Sequence, residues 1–359
     1  AHVQYAEMRL RDAEGGTSEY HGDLRDPTIV DDEVRVMRFS RASDATTIST
    51  LVNWGSHPEY TGSRNTLLSS DYVNEVRHTV EAGSTDTDFP DGMHTAPGVG
   101  GITVFHQGAL GCQIGPNNFH PHAWDNADVS MRTPLPDDTM VQSQTIGKQI
   151  GYLVLKMLSD TTGSVTDDTA ALAFHRRFHF LPLENLGFRV AYDLGIFMRR
   201  AYNYDPSHLI GPRNLPQVLT EVDVIDVGRV RILTVPGEVD PALFVGGYDG
   251  SWTPPGIPLN DPGNPDPPDL SMAPAGPYLR DVARASRPGV DYVWLFGLSE
   301  DYVGYFVLPF DFKVDPASPY IDEPPGDHYE ETRDVGPMAW PALETDLRDL
   351  LGGTPDAGM

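Results

Sequence analysis

The run Val230-Arg231-Ile232-Leu233-Thr234-Val235 ends at Pro236-Gly237-Glu238. Its β-branched, apolar residues describe a strand, Pro and Gly stop it, and a carboxylate follows at once. The same device occurs twice more. Thr47-Ile48-Ser49-Thr50-Leu51-Val52 leads into Asn53-Trp54-Gly55-Ser56-His57-Pro58-Glu59, and Tyr292-Val293-Trp294-Leu295-Phe296 leads into Gly297-Leu298-Ser299-Glu300-Asp301-Tyr302-Val303-Gly304-Tyr305. Each stretch delivers a potential metal ligand to a loop at a strand end, where a rigid sheet commonly carries catalytic groups.

Working outward, Val34-Arg35-Val36-Met37-Arg38-Phe39 and residues 47–52 flank the turn-prone Ser43-Asp44-Ala45, which predicts a hairpin. Ser69-Ser70-Asp71 is placed to cap a helix that runs through Tyr72, Val73, Val76 and Val80 to Gly83. Ile102-Thr103-Val104-Phe105 reads as a buried strand that enters the turn Gly108-Ala109-Leu110-Gly111. From about Asp138 to Leu158, Ile146, Ile150, Leu153, Val154 and Met157 recur at helical spacing, so this segment should lie against a sheet. Val222-Asp223-Val224-Ile225-Asp226-Val227 is a further strand. Residues 253–277 are too dense in proline for a helix or a central strand and read as a loop or lid near a pocket mouth. No internal repeat or linker is visible. The expectation is one mixed α/β (α+β) domain over residues 1–342, with central mixed sheets flanked by helices, followed by an acidic, Gly/Pro-containing tail over 343–359.

Composition narrows the function classes. The 359 residues are 39% hydrophobic, ample for a packed core. The 52 acidic residues outnumber 25 basic ones, and the basic set includes only three lysines, Lys148, Lys156 and Lys313. A net charge of −27 repels nucleic acid and anionic headgroups, so phosphate-backbone binding is a poor fit. No run approaches the roughly 18 apolar residues of a membrane helix, and Ala1-His2-Val3-Gln4-Tyr5 has no signal-peptide pattern. A single cysteine, Cys112, excludes an internal disulfide.

Singly, the candidates have ordinary readings. Pro58 holds the backbone before it extended, and an isolated His57 suits a structural role. Glu238 suits a carboxylate near a helix N-terminus, and Tyr302 and Tyr305 suit half-buried packing. Cys112 has no cationic neighbour in sequence to lower its thiol pKa, so an inert thiol is expected. His120-Pro121-His122 reads as a surface loop, and His175 and His179 alternate with Phe174, Phe178 and Phe180 as on a strand with one wet face. Asp261, Asp266 and Asp269 offer a possible Ca2+ site among prolines.

Together the motifs resemble the neutral/alkaline non-lysosomal ceramidase family. They run in order from Asn53-Trp54-Gly55-Ser56-His57-Pro58 through Leu67-Leu68-Ser69-Ser70-Asp71-Tyr72, Gln107-Gly108-Ala109-Leu110-Gly111 and Pro236-Gly237-Glu238. They continue with Gly297-Leu298, Tyr302 and Tyr305, and close with His328-Tyr329-Glu330-Glu331. The resemblance implies a zinc-dependent hydrolase that cleaves the N-acyl amide of ceramide or a related substrate with metal-activated water. It implies His57 and Glu238 as zinc ligands with Tyr305 approaching the metal, and Tyr302 as the alternative tyrosine. It also implies Arg25 and Tyr329 as groups facing the developing oxyanion. A zinc site of this type leaves an open position where water has a pKa of about 7.

Two departures from the family pattern shape the expectations. The family's His-Thr-His motif, which supplies a further zinc histidine, has no counterpart before Asn53, and His94-Thr95-Ala96-Pro97 comes after His57. A separate N-terminal chain fragment is therefore expected to supply that histidine. Gly115 stands where ceramidases carry a serine, which points to an altered substrate such as an N-acyl amino acid, another fatty amide or an ester; its lack of a side chain should let the backbone pass close to the metal pocket. The expected architecture is that of the family's catalytic domain without its C-terminal immunoglobulin-like domain. A catalytically inactive, lipid- or peptide-binding relative is the alternative. Kinship and acidity suggest an extracellular or periplasmic location.

Overall fold

The computed structural model describes residues 1–13, 20, 22–23, 25–115 and 121–353. Counting strands of three residues or more, β1 (His2–Arg9), β2 (Glu33–Ser40), β3 (Thr47–Trp54), β4 (Ile102–Gln107) and β5 (Val165–Asp167) form one sheet in the order β4-β3-β2-β1-β5. A second sheet has the order β6 (Leu172–Pro182), β7 (Gln217–Val227), β8 (Val230–Thr234) and β9 (Tyr292–Phe296). All pairings are antiparallel except β3 with β4 and β8 with β9. The expected hairpin is β2–β3, closed by a turn in which the Asp44 carboxylate accepts from Thr46 N–H.

Alternation along the strands assigns each face. In the first sheet Val34, Val36, Val52 and Trp54 face α1 (Val73–Ala82) and α2 (Met140–Ser159), where they meet Val76, Val80, Ile146, Ile150 and Val154. Val3, Tyr5 and Met37 point the other way, onto Val230, Ile232, Tyr292 and Trp294 of the second sheet. The far face of that sheet buries Val222, Leu233, Val293 and Leu295 with Leu279 and Ala283 of α5 (Leu279–Ala285) and the leucines of α6 (Ala339–Leu351). Two short helices, α3 (Leu186–Asp193) and α4 (Pro241–Val245), start at side-chain caps from Asn185 and Asp240. The layers are therefore helix, sheet, sheet, helix, the mixed architecture expected.

Helix α2 follows its apolar spacing, and Thr139 Oγ1 caps it by accepting from Gln142 N–H. The expected tail does not hold over residues 343–351, which belong to α6. Leu343, Leu347 and Leu350 recur on one face and are buried against β6 and β7. Residues 354–359 lie outside the described part. Residues 253–277 are an irregular strap with one short 3-10 turn. They bind Asp26 and Thr28, with Thr28 N–H donating to Leu259 O and Asp261 N–H donating to the Asp26 carboxylate, and they reach Gly326 and Lys313 through Asn264 and Asp266.

The packing of α6 is directly testable. Truncating buried Leu343 to Ala leaves a cavity and should lower unfolding free energy by about 2–5 kcal/mol in urea titration, whereas a solvated tail would show almost no change.

Candidate metal and hydrolase site

The two parallel strand pairs aim their C-terminal ends at the same place. After β3 the chain turns through Gly55 to His57, and after β8 it turns through Gly237 to Glu238. Glu238–Val239 pairs in parallel with Tyr305–Phe306, which follow β9 by way of the 297–304 loop. That loop is pinned from three sides: Gly297 N–H donates to Gln107 O, Leu298 N–H to Gly237 O, and Ser299 Oγ meets His106 Nε2 at 3.1 Å. Leu298 and Glu300 both adopt left-handed backbone, with φ of 54° and 67°, a cost that the surrounding pinning must hold in place. At Gly304 (φ 113°) a Cβ would collide with the Arg333 carbonyl, so glycine is required where the two segments touch.

His57 Nε2 lies 2.6 Å from Glu238 Oε2, both side chains being nearly buried. The backbone carbonyl of Gln113 accepts from both His57 N–H, at 3.0 Å, and the Nδ1–H of its ring, at 2.9 Å. The ring is thus oriented with Nε2 toward the carboxylate. Tyr302 OH donates to Glu238 Oε1 at 2.9 Å, and the Tyr305 hydroxyl also bonds this carboxylate. Tyr305 stacks over His57 with ring centroids 6.5 Å apart, and Tyr329 meets Tyr305 edge-on at 6.2 Å. Four of the six residues expected at the site, His57, Glu238, Tyr302 and Tyr305, therefore converge on one point, with Tyr329 at its margin.

Arg25 is placed differently from expectation. Its guanidinium is buried, and both terminal nitrogens are committed, to Glu331 at 2.7 and 2.9 Å and to Asp311 at 3.3 Å; among the described residues Nε–H has no partner. It anchors the 328–331 turn that carries Tyr329. Gly115 also has a local reason: a Cβ there would collide with the Tyr60 ring, so the close approach is to Tyr60. The three aspartates proposed for Ca2+ do not gather. Asp261 accepts from Gly263 N–H, Asp266 pairs with Lys313, and Asp269 caps residues 270–272. His120 lies outside the described residues.

Burial and charge set the protonation states. Burial disfavours the His57 imidazolium, but the Glu238 hydrogen bond and charge outweigh it and raise His57 above its ordinary value. Burial would raise Glu238, yet His57 and the two tyrosines hold it below the usual carboxylate range. Burial, reinforced by Glu238, pushes both Tyr302 and Tyr305 well up, so they stay neutral O–H donors. The Cys112 thiol is pushed well up by burial and by Asp240, 3.5 Å away, which makes it inert as expected. Behind the site, burial raises Asp240 to about 6 and Glu330 to about 7, against the opposing charge of Arg25. Sequence reasoning missed Gln113, whose carbonyl orients His57, and this buried acid layer.

The donor set suits zinc in kind. A ligating histidine ordinarily donates its other ring N–H to a carbonyl, as His57 does to Gln113. Catalytic zinc sites commonly take three strong protein ligands, and the described residues provide one imidazole, one carboxylate and two phenols, one strong ligand short. Among the described residues, the group of three carboxylates within metal-binding reach is elsewhere, at Glu221, Asp223 and Glu300, where Arg176 pairs with the first two.

The Glu330 shift carries a pH prediction. The folded state keeps this proton up to about pH 7, against an ordinary value of 4.5, so it binds more protons than the unfolded chain across that window. Stability from this group is full below pH 4.5 and is lost as pH rises toward 7. Glu330→Gln should flatten that loss in denaturant titrations over the window, and superimposable pH profiles would contradict the assignment.

No protein-family model matches the chain, and no curated protein matches its sequence. Its fold is similar to that of neutral ceramidase from Pseudomonas aeruginosa, with a TM-score of 0.58 and 12% identity, covering 100% of this chain and 53% of that one. A structure of ceramidase complexed with C2 gives a TM-score of 0.60 at 12% identity, covering 100% of this chain and 54% of that one. At this identity the likeness is one of fold, and the chain spans about half the length of those solved proteins. Among the described residues no helix is long and apolar enough to cross a membrane. The chain therefore has, over its whole length, the fold of part of these ceramidases.

Proposed function

We propose that the chain contributes the greater part of a zinc-dependent hydrolase site that cleaves the N-acyl amide of a ceramide-like or other acylated substrate. The observation that carries this reading is the meeting of His57 Nε2 and Glu238 Oε2 at the ends of two parallel strand pairs, with Gln113 fixing the imidazole. Ligand crevices at the carboxyl ends of parallel strands are a general property of α/β sheets. The fold likeness to ceramidases supports the same reaction class.

His57 and Glu238 would hold the ion, with Tyr305 beside it. When bound, zinc polarises an acyl carbonyl and makes water acidic enough to act as a nucleophile near neutral pH. The chain's own residues account for the remainder. Tyr302 and Tyr305 remain protonated and give their single O–H protons to Glu238, so they orient that carboxylate and would serve a carbonyl oxygen that gains negative charge only by turning from it. Tyr329, half-exposed at the margin, is the third hydroxyl within the same aromatic row. Arg25 serves by neutralising Glu331 and Asp311 and so fixing the turn that bears Tyr329. The further histidine that the donor set lacks is proposed to come from a polypeptide segment outside these residues. An extracellular or periplasmic setting, where a lipid amide is met, is part of the same proposal.

The test is metal content with turnover, on protein purified without chelator. Near-stoichiometric zinc and hydrolysis of a fluorogenic N-acyl amide are expected. Glu238→Gln and His57→Ala should each lower kcat by about 100-fold or more while thermal unfolding shows a folded protein. Metal-free, inactive protein that still binds the amide would favour the alternative, a catalytically inactive lipid- or peptide-binding relative, to which the missing strong ligand also points.

A further inference from the structure

Tyr302 has two sides. Its hydroxyl holds Glu238, and its ring forms a wall of a cavity of about 300 Å³ lined by Leu183, Phe188, Phe197, Val218 and Val335. That volume is at the small end of ordinary small-molecule sites, and a lining this apolar suits a hydrocarbon chain. Two arginines edge it, and they differ. Arg199 is neutralised by Asp301 and also donates to Leu219 O. Arg333 is exposed, stands over the Tyr329 ring with its Cζ 5.7 Å from the centroid, and has no carboxylate partner among the described residues. Its charge is felt at the Tyr302 hydroxyl, which lies on the Glu238 side of the wall.

In a chain of net charge −27, an unpaired guanidinium beside an apolar cavity and a row of site tyrosines is a selective feature. From these juxtaposed features we infer that the site selects an N-acyl amino acid: its acyl chain fills the cavity behind Tyr302, and the carboxylate of its amine portion is bound by Arg333. The inference rests on the hydrolase reading only for where the amide lies, at Tyr302, the residue that the cavity shares with Glu238. A planar guanidinium accepts a carboxylate through two parallel hydrogen bonds, a geometry that a neutral alcohol cannot match. Hydrolysis would add water across the C–N bond, the acyl carbon taking the hydroxyl and the nitrogen the proton, to give a fatty acid and a free amino acid. The negative surface repels such a ligand at long range, so the local cation matters more here than on a neutral protein.

The experiment compares N-lauroylglycine with N-lauroylethanolamine, which share chain and amide and differ in the carboxylate. Binding is measured by calorimetry on the full chain with chelator present, so that turnover does not interfere, and hydrolysis is measured separately without chelator. N-lauroylglycine should bind roughly tenfold tighter. Arg333→Gln should bring the ratio to about one, and Arg333→Lys should retain part of the preference, since lysine keeps the charge without the fork. N-acetylglycine, which lacks the chain, should bind too weakly to measure. Equal affinity for the two lauroyl amides, no measurable binding of N-lauroylglycine, or a ratio unaffected by Arg333→Gln would overturn the inference. Hydrolysis of both amides without any binding preference would do the same and leave the hydrolase reading intact. A binding preference without hydrolysis would sink the hydrolase reading alone.

Discussion

The structure depends on how two sheets are joined at the ends of their parallel strands. Asn53, fully buried at the end of β3, donates from Nδ2 to His106 O in its own sheet and to Leu295 O in the other, each at 3.1 Å. A buried amide with two such acceptors fixes the relative position of β3, β4 and β9, because any slip would leave polar groups unpaired in an apolar layer. The next residues along each strand are then delivered to one place. His57 follows Asn53 by four positions, Gly297 N–H reaches Gln107 O beyond His106, and the loop that starts there returns as Tyr302 and Tyr305. The meeting of imidazole and carboxylate is thus a consequence of sheet register.

Holding acidic groups in this layer needs a counterweight. Asp23, Asp240, Glu330, Glu331 and Asp311 sit close behind the site, and Arg25 is the buried cation facing them. Removing one partner of a buried pair exposes the other's desolvation cost, so Arg25 is better understood as a structural keystone than as a free donor. The strain at Leu298 and Glu300 fits the same picture. Irregular backbone is tolerated where surrounding hydrogen bonds over-determine it, and here it sets the two tyrosines on Glu238.

Much of this was legible in the sequence because it is local. Strand runs that stop at Gly or Pro announced β3, β8 and β9 together with the His, Glu and Tyr that follow them, and the 3.6-residue spacing of Ile146, Ile150, Leu153 and Met157 announced α2. Helix α6 was hidden because the Gly- and Pro-containing residues after it made the whole end resemble a tail, although Leu343, Leu347 and Leu350 already kept helical spacing. The partners of Arg25 lie 286 and 306 residues away, and the carbonyl that orients His57 is 56 residues on. No spacing rule reaches such pairs, since they follow from how the sheets meet. The proline density of residues 253–277 shows in the sequence that they are irregular, but their partners Asp26, Thr28, Gly326 and Lys313 are matters of tertiary contact.

The central claim is that His57 Nε2 and a Glu238 oxygen share one divalent ion. An anomalous difference map recorded on either side of the zinc absorption edge, from crystals of protein purified without chelator, tests it most directly. The account predicts a single strong peak within about 2.0–2.2 Å of both ligand atoms. A map with no peak between them, or with the ion at another cluster such as Glu221, Asp223 and Glu300, would contradict it.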